Sequence, residues 1–349
     1  MFKYILGIES SCDETSAAVV EEGKNLLSNV VASQISTHSK YGGVVPEVAS
    51  RMHVESILPV IEEALEKADL NFDDIDGIAV TQGPGLIGSL LVGLASAKSL
   101  AFSLDKPLLG VNHLEAHISA VHLENNVEFP FIALIASGGH TNLYMVRGFT
   151  DFELISKTRD DAAGEAFDKA AKVLGLGYPG GVMIDRLSKD GDSDKYKFPI
   201  PFNTKKSHDF SFSGIKTSLV YFLKKHEIKD DADLNDICAG YQESIVRSLL
   251  NKSFNAANEH NIKRIVICGG VACNSRLREL GAEYGEKNGI KLFYPSLPLC
   301  TDNAAMIAVI GYYMFRRGDI SNLNIGAYST LKTKIVRGQK SFDNKGQHS

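Results

Sequence analysis

Residues 4–21, Tyr-Ile-Leu-Gly-Ile-Glu-Ser-Ser-Cys-Asp-Glu-Thr-Ser-Ala-Ala-Val-Val-Glu, decide the fold. Tyr4 to Glu9 is a short apolar run, SSCDETS a polar turn, and AAVVEE a second run, which together predict a β-hairpin opening a domain. The pattern returns in the second half. Phe131 to Ala136 (FIALIA) reads as an apolar strand, Ser137-Gly138-Gly139-His140-Thr141 as a glycine turn, and Asn142 to Val146 as a return strand. Each hairpin is followed by a strand, a glycine turn and a helix. In the first half these are Ile75–Thr81, Gln82-Gly83-Pro84-Gly85 and Leu86–Phe102; in the second, Arg264–Cys268, Gly269-Gly270 and Asn274–Lys287. Two such passes predict an α/β protein built by divergent internal duplication, with two lobes facing one cleft. Val54, Ile57, Leu58, Ile61 and Leu65 recur at steps of three and four, so Met52–Ala68 is an amphipathic helix, with Pro59 expected to bend it or mark an early turn.

The chain has 349 residues, enough for two packed domains. Its 44% apolar and 23% charged residues are those of an ordinary soluble globular protein, and a net charge of -5 argues against a strongly basic nucleic-acid-coating protein. Any nucleic acid would need a local basic groove or a partner's help. The five cysteines, Cys12, Cys238, Cys268, Cys273 and Cys300, are odd in number and include no C-x-x-C pair, so they read as free thiols of a cytoplasmic protein. No signal or transit peptide is expected at the N-terminus, and the apolar run from Gly85 to Ala97 is too short to span a bilayer.

Several residues can carry chemistry. In His113-Leu114-Glu115-Ala116-His117 two histidines four apart share one helix face, where neutral imidazoles can bind a metal. Alone that pair is a weak signal. Asp302 could supply a third ligand, or it could cap the apolar helix Ala304–Phe315; the spacing leaves both roles open. Four glycine turns, Gly83/Gly85, Gly138/Gly139, Gly180/Gly181 and Gly269/Gly270, would let backbone N–H groups approach a phosphate. Asp160 to Lys169 starts a helix with two acids at its N-terminus, and Asp168 with Tyr178, Gly180, Gly181 and Asp185 would suit the hydroxyls of a ribose, or form a solvated acidic face. Lys205, Lys206, His208, Phe210, Phe212 and Lys216 mix basic and aromatic groups as a nucleic-acid groove does, though such a patch is more often plain surface.

Taken together and in order, GIESSCDETSAAVV, YGGVVPEVASR, GPGLIGSLLVG, NHLEAH, SGGHTNL, DDAAGEAFDKAAKVLGLGYPGG, FSFSGIKT, GGVACNSRLR and CTDNAAMIA resemble the bacterial tRNA N6-adenosine threonylcarbamoyltransferases (the TsaD family), over residues 3–330. The resemblance implies a two-lobed actin/Hsp70-like (ASKHA) fold. It implies an N(6)-L-threonylcarbamoyladenine synthase that moves threonylcarbamoyl from threonylcarbamoyl-AMP to the N6 amine of adenosine 37 in tRNAs reading ANN codons. It further implies His113, His117 and Asp302 as ligands of one divalent metal, iron(II) by family habit with zinc as the alternative. Ile135, Ala136, Ser137, Gly138, Gly139, Asp168, Gly181, Asp185 and Asn274 match the family's substrate-binding positions. No general base is evident. A paralogous partner subunit and a small ATPase are the implied partners, with no membrane. The expected lobes are 1–110, completed by a segment near 321–335, and 111–320, carrying the metal and nucleotide site; the polar stretch 336–349 is expected to be a flexible tail.

Three rivals are weaker. A sugar or carboxylate kinase of this fold would need a glycine- and threonine-rich phosphate clamp where SSCDET stands. A zincin protease needs H-E-x-x-H, but Glu115 lies two residues after His113, about 200° round the helix. A non-catalytic scaffold would not need both histidines and Asp302.

Overall fold

A computed structural model describes residues 2–201 and 207–330. Its first half comprises β1 (Tyr4–Glu9), β2 (Glu14–Glu21), β3 (Asn25–Ser33), α1 (Ile35–His38), α2 (Pro46–Lys67), β4 (Gly77–Gly83), α3 (Ile87–Ser103), β5 (Leu108–Asn112) and α4 (His113–Ser119). The second comprises β6 (Phe131–Ala136), β7 (Thr141–Gly148), β8 (Asp151–Lys157), α5 (Ala163–Leu174), α6 (Gly180–Ser188), α7 (Ser213–Leu223), α8 (Asp231–Glu259), β9 (Arg264–Cys268), α9 (Ser275–Asn288), β10 (Lys291–Phe293), α10 (Leu297–Cys300) and α11 (Ala304–Arg317). The first sheet runs β3-β2-β1-β4-β5 and the second β10-β9-β6-β7-β8. Read from the other edge the second is β8-β7-β6-β9-β10, the same order position for position. The duplication expected from the two hairpins is therefore present in the topology.

The central strands are apolar throughout because both of their faces are covered. In β6, Ile132, Leu134 and Ala136 enter one core with α5 and α8. The alternate residues Phe131, Ala133 and Ile135 enter another, beneath Leu114 and Ile118 of α4. In β1, Leu6 and Ile8 face the core of α2 and α3, while Ile5 faces the α11 side. Gly7 is obligatory there: a Cβ would sit 2.3 Å from the Ala304 carbonyl oxygen.

The two halves exchange their closing helices. Helix α4 follows β5 of the first sheet yet packs on the second, whereas α11 follows β10 of the second sheet yet packs on Ile5, Ala18, Ala79 and Leu109 of the first. Ala116 and Ala120 join α11's cluster, so the exchanged helices also meet each other. Ala304–Arg317, within the stretch expected to form the second lobe, packs on the first sheet. An apolar helix carries no mark of which sheet it will cover. The segment beyond it stays with the first lobe: Ser321 N–H donates to the Leu108 carbonyl (2.8 Å) and Tyr328 N–H to that of Gln82 (3.1 Å). Residues 331–335 and the expected tail 336–349 lie outside the described residues.

Helix α2 begins at Pro46, six residues earlier than the periodicity suggested, and continues through Pro59. The proline removes one ladder hydrogen bond, but buried Ile57, Val60, Ile61 and Ala64 hold the helix on both sides of it. No helix among the described residues is long and apolar enough to cross a membrane.

Candidate metal and nucleotide site

Helix α4 is set by Asn112, whose Oδ1 accepts from the N–H groups of Leu114 (2.9 Å) and Glu115 (3.3 Å). That cap places His113 and His117 one turn apart on the buried face, their rings edge to face at 4.7 Å. Nε2 of His117 lies 3.1 Å and Nε2 of His113 3.6 Å from Oδ1 of Asp302. One donor atom from each residue falls within a 4.8 Å cluster. Asp302 is not the cap of α11: Asn303 holds that position and accepts from Met306 N–H at 3.1 Å. The aspartate is thus free to face the histidines.

Behind the triad stands a residue the sequence reading missed. Oε2 of Glu9, at the end of β1, lies 3.0 Å from Nδ1 of His113. Glu9 itself accepts from Thr81 Oγ1–H (2.7 Å) and from Ser11 N–H (2.5 Å). Burial works to lower the His113 pKa, but the Glu9 and Asp302 carboxylates outweigh it and raise the pKa to about 9. Burial likewise works to raise Asp302, yet His113 and His117 hold it below the usual carboxylate range. Nδ1 of His117 is buried with no partner among the described residues. Two imidazoles, one of them backed by the Glu9 carboxylate, and the Asp302 carboxylate form a donor set that fits a divalent ion. The Glu115 carboxyl is raised to about 7 by burial and acts electrostatically on Tyr144 and Tyr328; it takes no part in the triad.

The glycine turns divide by what surrounds them. In the first lobe, a Cβ on Gly83 would meet the Tyr328 oxygen at 2.2 Å and one on Gly85 the Ser11 oxygen at 2.6 Å. That turn is filled by protein and is not a phosphate cradle. A Cβ on Gly138, Gly139 or Gly270 would meet nothing within 4 Å. Neither Gly138 N–H nor Gly139 N–H donates a hydrogen bond among the described residues; the turn is closed by Ser137 N–H to the His140 carbonyl (2.8 Å). The start of α5 abuts it, with Gly164 N–H donating to the Ser137 carbonyl at 3.1 Å. Ile135 and Ala136 lie at the buried end of β6, and Gly269, at φ +87°, lets the next loop pass close to the Ala136 oxygen. His140, also missed from sequence, sits on this turn. Burial brings its pKa down to about 4, and the charges of His113 and His117 add to that, so the turn neighbours the triad.

Asp168 on α5 accepts from Gly180 N–H at 2.8 Å. Burial raises its pKa, and Asp13 in the first hairpin's turn contributes to raising both Asp168 and Tyr178. The first hairpin and the α5–α6 turn thus flank one cleft. Gly181 has room beside Phe167, with an added Cβ 3.8 Å away. Asp185 accepts from Ser275 N–H (3.1 Å) and Oγ–H (2.8 Å), joining α6 to the start of α9. Asn274 caps α9 through Leu277 N–H (2.9 Å) and donates to Gln242 Oε1 (2.6 Å). A polar cavity lined by Ser188, Gln242, Glu243, Ser275 and Arg276 opens beside this pair.

Two further expectations are corrected. Phe210 and Phe212 are fully buried, so they stack in the core rather than on bases; Lys205 and Lys206 lie outside the described residues. Asp160 does not start α5. Its Oδ1 accepts from Phe212 N–H (2.7 Å) and Ser213 N–H (3.3 Å) at the head of α7, and Asp161 pairs with Lys169 at 2.8 Å.

Comparison with known proteins follows the same lines. The family model described as tRNA N6-adenosine threonylcarbamoyltransferase matches residues 25–309. A protein of that name from Syntrophus aciditrophicus is 59% identical over 327 residues, covering 93% of this chain and 96% of the relative. One from Geotalea uraniireducens is 53% identical over 340 residues, covering 96% and 99%. Among solved structures, HypF in its phosphate- and nucleotide-bound form shares the fold at a TM-score of 0.62 and 15% identity, over 90% of this chain and 46% of that one. Component A of the Acidaminococcus fermentans (R)-2-hydroxyglutaryl-CoA dehydratase does so at 0.52 and 20%, over 89% and 98%. This two-lobed chain belongs to the tRNA N6-adenosine threonylcarbamoyltransferases, transferases that modify tRNA.

Proposed function

We propose that the chain takes threonylcarbamoyl from threonylcarbamoyl-AMP and delivers it to N6 of adenosine 37 in tRNAs reading ANN codons, in the cytoplasm. His113, His117 and Asp302 would hold one divalent ion; a two-histidine, one-carboxylate set suits iron(II), with zinc the alternative. The observation that carries the reading is the meeting of this donor cluster with a glycine turn whose amides are free and whose surroundings are open.

When bound, the ion would supply Lewis-acid stabilisation of charge on the activated carbonyl or its leaving phosphate. The other tasks fall to the chain. The Ser137–Gly139 turn, at the N-terminal end of α5, offers N–H groups and a favourable dipole to a phosphate. Asp168, Gly181, Asp185 and Asn274 would orient the nucleoside side of the donor, leaving its carbonyl carbon open to the incoming amine. Ile135 and Ala136 fix the turn by anchoring β6. With a net charge of -5, docking of tRNA would draw on a paralogous subunit and a small ATPase.

The test is transfer of labelled threonylcarbamoyl from its adenylate to unmodified tRNA, with the partner proteins added or omitted. Product is expected with the native chain and partners, and not with His113→Ala or Asp302→Ala that remain folded. Full transfer by either variant after metal removal would end the metal assignment. Metal analysis of chain purified without oxygen distinguishes iron from zinc.

A further inference from the structure

Three consecutive residues at the head of α9 are each tied to a different side chain. Asn274 Nδ2–H donates to Gln242 Oε1 (2.6 Å), and Ser275 donates to Asp185 Oδ1 from N–H (3.1 Å) and Oγ–H (2.8 Å). The Arg276 guanidinium grips both oxygens of Glu243, from Nε at 2.8 Å and from Nη2 at 3.3 Å. Gln242 and Glu243 are neighbours on α8, and both are buried. Cys238, Tyr241 and Ile245 anchor that part of α8 in the core, so both acceptors stand on a rigid support.

The Asn274 amide can point only one way. The Leu277 N–H that it caps is a donor, and at 2.9 Å it must meet the oxygen of the amide. Nδ2 therefore lies on the Gln242 side, and the atom it meets there must be an acceptor, which fixes the Gln242 amide as well. With Oδ1 turned to the cap, Nδ2 is what Asn274 offers a ligand, and one of its two hydrogens belongs to Gln242. The bond to Gln242 thus aims the other. Losing that bond would leave α9 in place, because the cap, Asp185 and Glu243 still hold its head. Only the plane of the amide would be loosened.

We propose that Gln242 is a positioning residue for the nucleoside half of the adenylate: its Oε1 sets the plane of the Asn274 amide, so that the second Nδ2 hydrogen is presented to the ligand. The role rests on the nucleoside contact given to Asn274 above. Gln242 also lines the polar cavity beside Asn274, together with Ser188, Glu243, Ser275 and Arg276. Its effect falls on binding of the donor and not on the chemistry at the carbonyl. It should therefore appear in KM for the adenylate and leave kcat unchanged.

The test is a mutant cycle on the full chain, read by calorimetric binding of AMP and by KM and kcat for the adenylate in the transfer assay. Gln242→Met, equal in length and without the amide acceptor, should weaken AMP binding and raise KM by about 10-fold, with kcat unchanged. Gln242→Glu keeps an oxygen opposite Nδ2 and should recover most of that loss. Asn274→Ser keeps a cap for α9 but is too short to reach Gln242, and it should weaken AMP by at least as much. In that background Gln242→Met should cost nothing more, because it acts through Asn274. An equal loss in both backgrounds, or a loss that Gln242→Glu does not relieve, would overturn the positioning. Gln242→Ala repeats the cycle if Gln242→Met melts early. Native binding by Gln242→Met beside weakened binding by Asn274→Ser would overturn the role of Gln242 and leave that of Asn274 standing. AMP held as tightly by Asn274→Ser as by the native chain would remove the nucleoside contact of Asn274, and the positioning with it. A native chain that neither binds AMP nor transfers would count against the function proposed above and end this role too.

Discussion

Oε2 of Glu9 and Nδ1 of His113 lie 3.0 Å apart although 104 residues separate them in the chain. The contact orients the imidazole so that Nε2 faces Asp302, and a carboxylate behind a ligating histidine also raises its basicity. Glu9→Gln keeps an oxygen to accept from Ser11 N–H, turns an amide NH2 towards Thr81 Oγ1 and His113 Nδ1, and, being of equal size, should leave the fold intact. Metal affinity should fall by about 10- to 100-fold, read by competition with a chelator of known strength. Unchanged affinity would show that Glu9 does not support the ligand.

If His113 takes a metal as proposed, the same carboxylates make its uptake a proton-releasing event. With its pKa raised to about 9, His113 is protonated at neutral pH in the metal-free chain, and binding through Nε2 must expel that proton. Calorimetry at pH 7.5 in buffers of different ionisation enthalpy should show release of about one proton per ion. Apparent affinity should climb as pH rises towards 9. Zero release would mean that His113 is already neutral.

Stability of the metal-free chain should follow the same group. Its folded pKa lies above the unfolded value of about 6.5, so the stabilisation is complete below about 6.5 and is lost as pH rises through about 9. The melting temperature of chelator-treated protein should therefore fall across that window, while Glu9→Gln should flatten the fall. A melting temperature that rises over the same range would contradict the ion pair.

Glycines at the cleft and beneath it should respond oppositely to a methyl group. A Cβ on Gly139 enters open space, whereas one on Gly164 would lie 2.6 Å from the Ser137 oxygen. Gly139→Ala should melt within about 1 kcal/mol of the native chain yet raise KM for the adenylate, because the methyl points where the phosphate would lie. Gly164→Ala should lose stability by about 1–3 kcal/mol, in urea denaturation. If both variants lose stability alike, the turn is not open.

At Gly7 the strand meets the first residue of α11, so alanine there should push the helix away from the first sheet. The expected cost is about 1–3 kcal/mol. Asp302 lies just before that helix, so the variant should also bind metal more weakly, a loss that a remote core substitution of equal cost would not produce.

What the sequence could disclose follows from where each signal resides. FIALIA and YILGIE are apolar on both faces and flanked by turns, so they were legible as strands, and the sheet order then places both at the centre. Asn25–Ser33 and Asp151–Lys157 were not, because these edge strands alternate weakly and several of their residues are exposed. The His113–His117 spacing is a local property of one helix and could be read directly. Asp302 is brought to it only by the fold, and Glu9 by the register of the first strand, so the first needed family motifs and the second needed coordinates. His140 was present in SGGHT all along, but a lone histidine after two glycines has no spacing to mark it. The basic and aromatic stretch misled because its alternation resembles a groove, whereas its phenylalanines turn inward.

The exchange of α4 and α11 makes covalent halves and spatial halves different objects. A chain cut in the loop between α4 and β6 yields an amino-terminal piece that carries the helix covering the second sheet and lacks the one covering its own. Its complement has the reverse defect. Neither fragment can close its core, so the two should be insoluble when produced apart and should assemble when produced together, with the histidines contributed by one piece and the aspartate by the other. The enzyme is in this sense already a heterodimer joined by a linker.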